Sequence, residues 1–170
     1  MNTGQDVQLD DLDARLIELL AQEPRIGVLE CSRRLGVARG TVQARLDRLA
    51  ARAVITGFGP DVDPSALGYD VTAFVTLQIR QISGHEPVAD QLAAIPEVLE
   101  VHTITGAGDM FARIVARSNA DLQRVIDRIV DFEGIVRTST VIALATQIPF
   151  GVQPLVRLAS RETAQAAGQI

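Results

Sequence analysis

The residues of this chain best suited to chemistry are arginines. Six of them, Arg33, Arg34, Arg39, Arg45, Arg48 and Arg52, lie between residues 31 and 53, where Asp47 is the only acid. The whole chain has a formal charge of −5, so this local surplus of positive charge marks a face that meets an anion. On a helix beginning near Arg39, the residues Thr41, Arg45, Arg48 and Arg52 form a stripe beside an apolar face of Val42, Leu46, Leu49 and Ala53. Guanidinium groups on such a flank clamp phosphates, while Gln43 and Arg39 on the outward side can read base edges. Arg34, on the preceding helix, adds to the same basic surface. The plain alternative is a solvated arginine face held by pairs with neighbouring acids.

Two smaller groups lie further along. Thr105-Gly106-Ala107-Gly108-Asp109 reads as a tight turn between strands, glycine supplying positive φ and Asp109 capping it. Thr138, Ser139 and Thr140 place three hydroxyls together on a strand, where threonine is at home in any case. His85 and His102 lack the spacing of a metal site, and the one cysteine, Cys31, reads as a buried core thiol. No phosphate-binding loop, dinucleotide fingerprint or nucleophile elbow is present, so neither cofactor nor metal is expected.

Positioning these groups takes two kinds of element. Asp10 is a helix N-cap, with Asp11 and Asp13 in the first turn, and Leu12, Leu16, Leu19 and Leu20 keep a helical period until Glu23-Pro24. A second helix spans 28–35, with Leu29, Ser32 and Leu35 on one side. Gly36-Val37 makes the turn into the third, 39–52. Three helices with the last one basic make a helix-turn-helix that offers 39–51 to a DNA major groove. Val54–Phe58 reads as a short strand, and residues 59–68 hold the prolines, glycines and aspartates of a linker.

From Tyr69 the hydrophobic period becomes two. Strands are expected at 69–80, 98–105, 110–116 and 135–148, with helices at 84–95 and 119–132. This β-α-β-β-α-β order is the ferredoxin-like arrangement, so the fold class is α+β. Both helices lie on one face of the sheet, and a second protomer is the simplest cover for the other. The tail after Pro154 suggests one or two helical turns or a frayed end. The expected domains are 1–55, a strand and linker at 56–68, a sensing and oligomerisation domain at 69–153, and a tail at 154–170. Charge follows the same division: residues 1–60 balance, and residues 61–170 carry the whole net −5. No apolar run approaches the roughly 18 residues of a membrane helix, and the acidic start resembles no signal peptide, so a cytoplasmic location is expected.

The segments LDDLDARLIELLAQEPRI, LGVARGTVQARLDRL, VITGFGPDVDPSALG and VLEVHTITGAGDMFARI, in this order and spacing, resemble the Lrp/AsnC (feast/famine) transcription regulators over roughly residues 9–150. The resemblance implies double-stranded DNA as a partner, an amino acid as effector, and a homodimer that assembles to an octamer. It also implies that backbone groups of Gly106 and Gly108 approach the effector while Asp109 accepts from its ammonium, with Thr105, Thr138, Ser139 and Thr140 completing the site. Arg45 matches the family's arginine at its position and is the expected phosphate contact. Ala38 and Gly40 stand where the family often has serine, and Gly108 where it often has an aromatic residue. Two other functions fit the same layout. One is a sirohaem decarboxylase-like enzyme, for which His102 is the candidate group. The other is an architectural protein that coats DNA without sensing a ligand.

Overall fold

Leu9, Leu16, Cys31, Leu35, Val42 and Leu49 lie far apart in the chain, yet they meet in one apolar core. The computed structural model describes residues 8–80 and 85–167, and its chain divides into two units, 1–60 with 149–170, and 61–148.

In the first unit, α1 (Asp11–Gln22) starts with a capping box in which the Asp10 carboxylate accepts from the Asp13 backbone N–H and Asp13 accepts from that of Asp10. Helix α2 (Val28–Leu35) stops at Gly36, whose φ of 69° is the left-handed conformation that glycine adopts without a side-chain penalty. Its buried residues are Cys31, Ser32 and Leu35. Leu29, expected beside them, is half in solvent, while Cys31 fills the core and burial pushes its thiol pKa up. Helix α3 (Arg39–Ala51) buries Val42 and Leu49. Ala53, expected to extend that stripe, is exposed with φ 54°, because the helix has already ended.

Two expectations for the chain flanking these helices are corrected. Val54–Phe58 is not a strand. The N–H groups of Val54 and Ile55 both donate to the Leu49 carbonyl, which folds the segment back under α3 and sets both side chains against the helical core. The tail forms a full helix, α6 (Gln153–Ala167), longer than one or two turns. It packs on α1 through Val156 and Ala159, and Arg157 pairs with Glu18.

The second unit opens with a 3-10 turn (Pro64–Leu67), begun by Asp63 and closed by Gly68. Four strands follow, β1 (Val71–Ile79), β2 (Val98–Thr103), β3 (Met110–Ala116) and β4 (Ile135–Ala143), with α4 (Glu86–Ala93) and α5 (Asn119–Val130) between them. The strands are antiparallel in the order β2-β3-β1-β4. This is the α+β, ferredoxin-like arrangement that the periodicity implied. Ala73, Val75, Leu77 and Ile79 of β1 and Ala112 and Ile114 of β3 bury against Val88 and Leu92 of α4 and Leu122, Val125 and Ile129 of α5. The opposite face carries Phe74 stacked on Phe111, with ring centroids 5.5 Å apart, and the exposed Val141 beside them. Strand β4 ends five residues earlier than its apolar run suggested, leaving Leu144 and Ile148 in solvent. The expected start of α4 at Gly84 lies outside the described residues.

Candidate functional site

Helix α3 has no side-chain cap of its own: Ala38 is its N-cap and makes no hydrogen bond from its side chain. Two carboxylates of α1 hold the helix instead. Arg45 Nη1 donates to both oxygens of Asp10, at 2.6 Å each, and to Asp13 Oδ1 at 2.8 Å. Arg48 Nη2 donates to both oxygens of Asp13 as well. Asp13 is fully buried, whereas the side chains of Arg45 and Arg48 are 21% and 41% exposed. A lone buried carboxylate would be strongly disfavoured, and here two guanidinium groups and the Asp10 backbone N–H saturate it. Partial burial raises the pKa of Asp10, but the hydrogen bonds from Arg45 and from the Asp13 N–H, with the charges of both arginines, outweigh that and leave it below its ordinary value. The hydrogen bond to Asp10 raises Arg45 in turn.

The other sequence-derived DNA contacts divide by surroundings. Arg39, Thr41, Gln43 and Arg52 are exposed. Gln43 donates to Asp47 at 2.8 Å along the helix surface. Arg34 is held by Glu23 in a two-point pair and by Glu30, with the Glu23 hydrogen bond raising its pKa. Among the described residues, then, Arg39 and Arg52 carry no ion pair, while Arg34, Arg45 and Arg48 do. Sequence reasoning saw Asp10 and Asp13 only as a cap and a dipole partner. The overlooked signal was their spacing of three, which matches the spacing of Arg45 and Arg48.

In the second unit, the turn Gly106–Asp109 lies against the end of β1. Asp109 N–H donates to the Leu77 carbonyl, and its Oδ2 accepts from Ile79 N–H, both at 2.8 Å. The β1–β3 ladder ends at Leu77 and Met110, so the Asp109 carboxylate satisfies a backbone N–H of β1 that lies just beyond that ladder. Gly106 has φ 124°. At Gly108 a Cβ would stand 2.3 Å from Thr76 Cγ2 and 3.0 Å from the Leu77 carbonyl oxygen, so only glycine fits this loop as it lies. Gln78 Nε2 donates to the Ala107 carbonyl at 2.8 Å, and both residues line two clefts. One, of about 280 Å³, lies between Gly106–Asp109 and Ile79 with Val136. The other, of about 270 Å³, is bordered by Thr76, Ala107, Arg137, Thr138 and Ser139.

The three hydroxyls of β4 do not converge. Thr138 and Thr140 stand opposite Leu77 and Val75, on the helix-covered face, whereas Ser139 stands opposite Thr76 on the other. Successive strand residues point to opposite faces, so three in a row cannot share one site. Thr105 is exposed ahead of the turn. Gln78 and Arg137 were missed, although the period-two pattern places both on the face that the helices leave open. His102 lies on an exposed strand with Nε2 2.7 Å from Glu100 Oε1. Among the described residues no three His, Cys, Asp or Glu side chains are grouped to hold a metal ion, and no helix is long and apolar enough to cross a membrane.

Comparison with known proteins agrees with both halves. Residues 9–50 match the AsnC-type helix-turn-helix domain and residues 72–151 the Lrp/AsnC ligand binding domain. The HTH-type transcriptional regulator FL11 of Pyrococcus furiosus is 34% identical over 136 residues, which cover 80% of this chain and 89% of that protein. Regulatory protein AsnC of Escherichia coli is 31% identical over 147 residues, 86% of this chain and 97% of its own length. The solved structure of E. coli AsnC superposes with a TM-score of 0.79 at 30% identity, covering 86% of this chain and 99% of that one. A feast or famine regulatory protein from M. tuberculosis, complexed with L-methionine, gives a TM-score of 0.74 at 28% identity over 83% of this chain and 95% of its own.

Proposed function

Since this chain belongs to the Lrp/AsnC family of transcription regulators, we propose that it binds particular double-stranded DNA sequences through α3 and responds to an amino acid bound at the Gly106–Asp109 loop. The observation that carries the DNA half is the exposed outer face of α3, where Gln43 and Arg39 meet base edges and Thr41 and Arg52 meet phosphates. Arg45 and Arg48 reach phosphates only against the pull of Asp10 and Asp13, and Arg34 only against Glu23 and Glu30.

The sensing half is supported by the clefts beside Gly106–Asp109. Asp109 and Arg137 offer a carboxylate and a guanidinium, the groups that pair with the ammonium and carboxylate of an amino acid. The L-methionine bound by the M. tuberculosis relative supports the same ligand class. The Phe74–Phe111–Val141 face is covered by a second copy in this reading, and the dimers assemble to an octamer that controls genes of amino-acid metabolism. Effector binding shifts DNA affinity only in so far as it favours one assembly over another.

The test is selection of binding sites from a random DNA pool, followed by affinity measurements with amino acids added singly. Gln43→Ala should cost about 1–3 kcal/mol on the selected site and relax its sequence preference. A cognate amino acid at a hundred times its Kd should stabilise the protein by about 2.7 kcal/mol. Gly108→Ala should abolish that gain. Equal affinity for selected and random DNA would sink the first half of the reading, and the absence of a thermal shift with any amino acid would sink the second.

A further inference from the structure

The four-membered cluster of Asp10, Asp13, Arg45 and Arg48 has no net charge, although two of its members stand on α3, the helix proposed to meet DNA. Arg45 gives Nη1 to three carboxylate oxygens and Arg48 gives Nη2 to two, all within 2.8 Å. The same groups remain partly in solvent: 21% of the Arg45 side chain, 41% of Arg48 and 47% of Asp10. A DNA phosphate approaching α3 therefore meets arginines whose best donors already have anionic partners. We propose that Asp10 and Asp13 compete with DNA phosphates for Arg45 and Arg48, so that the first turn of α1 sets how tightly the protein holds DNA of the wrong sequence.

The physical argument concerns differences between two states of DNA binding. Affinity for random DNA comes almost entirely from cations that displace counterions from phosphates. An arginine tied to an internal carboxylate adds little to that term, because its charge is already compensated. At a cognate site, base contacts by α3 hold the helix close, and the partly exposed guanidinium edges then meet phosphates at little further cost. The acids thus weaken binding to random DNA more than binding to the cognate site, which widens the ratio between them. Asp10 is the member to alter. It is the N-cap of α1, and asparagine or serine caps a helix as well as aspartate does. Asp10→Asn therefore keeps the helix start, leaves Asp13 to hold both arginines in place, and gives the cluster a net charge of about +1.

The inference rests on α3 meeting DNA, and the experiment separates the two ideas. Intact wild type, Asp10→Asn and Asp11→Asn are titrated with a selected site and with random duplex over a range of salt concentrations. Asp11 is the control: it is an acid of the same turn, almost fully exposed, and among the described residues its one ion pair is with Arg15, at 3.8 Å. Asp10→Asn should bind random duplex about threefold more tightly at low salt. It should also steepen the slope of log affinity against log salt by about 0.9, the contribution of one additional phosphate contact. Asp11→Asn should leave the slope unchanged. Arg45→Gln added to Asp10→Asn should cancel the gain, and Asp10→Ser should reproduce it if asparagine disturbs the turn. Identical slopes for Asp10→Asn and Asp11→Asn, or weaker binding to both duplexes at an unchanged slope, would reduce Asp10 to a structural cap and overturn the proposal. Failure of the wild type to select any site would instead remove the functional reading on which it stands.

Discussion

Asp13 in the first unit and Glu97 in the second are both buried carboxylates, and each is held by two arginines of one helix. Asp13 binds Arg45 and Arg48 of α3; Glu97 binds Arg124 at 2.7 Å and Arg128 at 3.4 Å, both on α5. The two helices begin differently. Helix α5 has Ser118, whose Oγ accepts from the Asp121 N–H, while α3 starts at Ala38 with no cap. Glu97 therefore adds a tie to a helix already well begun, and Asp13 with Asp10 ties down a helix that has no side-chain cap. The consequence also differs: α5 packs on a sheet, whereas α3 is the helix proposed to meet DNA. One device, a carboxylate bridging two arginines a turn apart, serves packing in one unit and, in the proposed reading, restrains a binding surface in the other.

The largest break in this comparison should come from Asp13→Ala. It leaves two guanidinium groups without their shared acceptor and opens a void in the helical core. We expect a loss of about 2–4 kcal/mol, less than for a fully buried pair because both arginines reach solvent. Urea unfolding followed by helical circular dichroism measures it. Glu97→Gln should cost less, about 1–2 kcal/mol, because Gln keeps a hydrogen-bonding carbonyl and its two arginines are half exposed. Its loss should fall on the second unit, leaving DNA affinity at low denaturant unchanged.

Acid sharpens the contrast further. The Arg124 hydrogen bond holds the Glu97 carboxyl below its usual value against the opposing effect of burial, and Asp10 is also lowered. A depressed carboxylate contributes stability that is present above its unfolded pKa, about 4, and lost as pH falls through the lower folded value, since the unfolded chain then binds more protons. Unfolding free energy should be flat near neutrality and decline below about pH 4. Glu97→Gln should flatten that decline. The smallest effect is expected from Ala38→Ser, which supplies α3 with the cap that α5 already has. It should stabilise the protein by about 0.5–1 kcal/mol. In the Asp13→Ala background the gain should be at least as large, if caps and carboxylates are alternative supports for one helix; a double-mutant cycle reads this.

Much of this arrangement is legible in the sequence. The Asp10 cap, the stop at Gly36, the period-two runs of β1 and β3 and the 3.6-residue stripe of α5 are local signals, each arising from neighbours within one or two turns of the chain. The misreadings share one cause. Val54–Phe58 has strand composition, but the Leu49 carbonyl captures its first two N–H groups. Leu29 matches the helical stripe, but Cys31, two residues further on, fills the core in its place. The tail looks weakly helical until Val156 and Ala159 find the core of the helical unit. In each case packing or hydrogen bonding outside the segment outweighed its own local preference.

The sequence alone determined the kinds of element, their order and the concentration of arginine on one helix, because periodicity, caps and turn residues act locally. Only the tertiary structure decided which arginines are free to meet an anion. Charge counted along the chain treats Arg39 and Arg45 alike. In the fold, Arg39 stands in solvent while Arg45 faces two carboxylates more than thirty residues away. The same holds for Gly108, a turn residue by composition and an obligatory one only because Thr76 and Leu77 lie against it. What a charged or flexible residue can do depends on what the fold brings to within a few ångströms of it, and Coulombic and steric energies change most steeply over that distance.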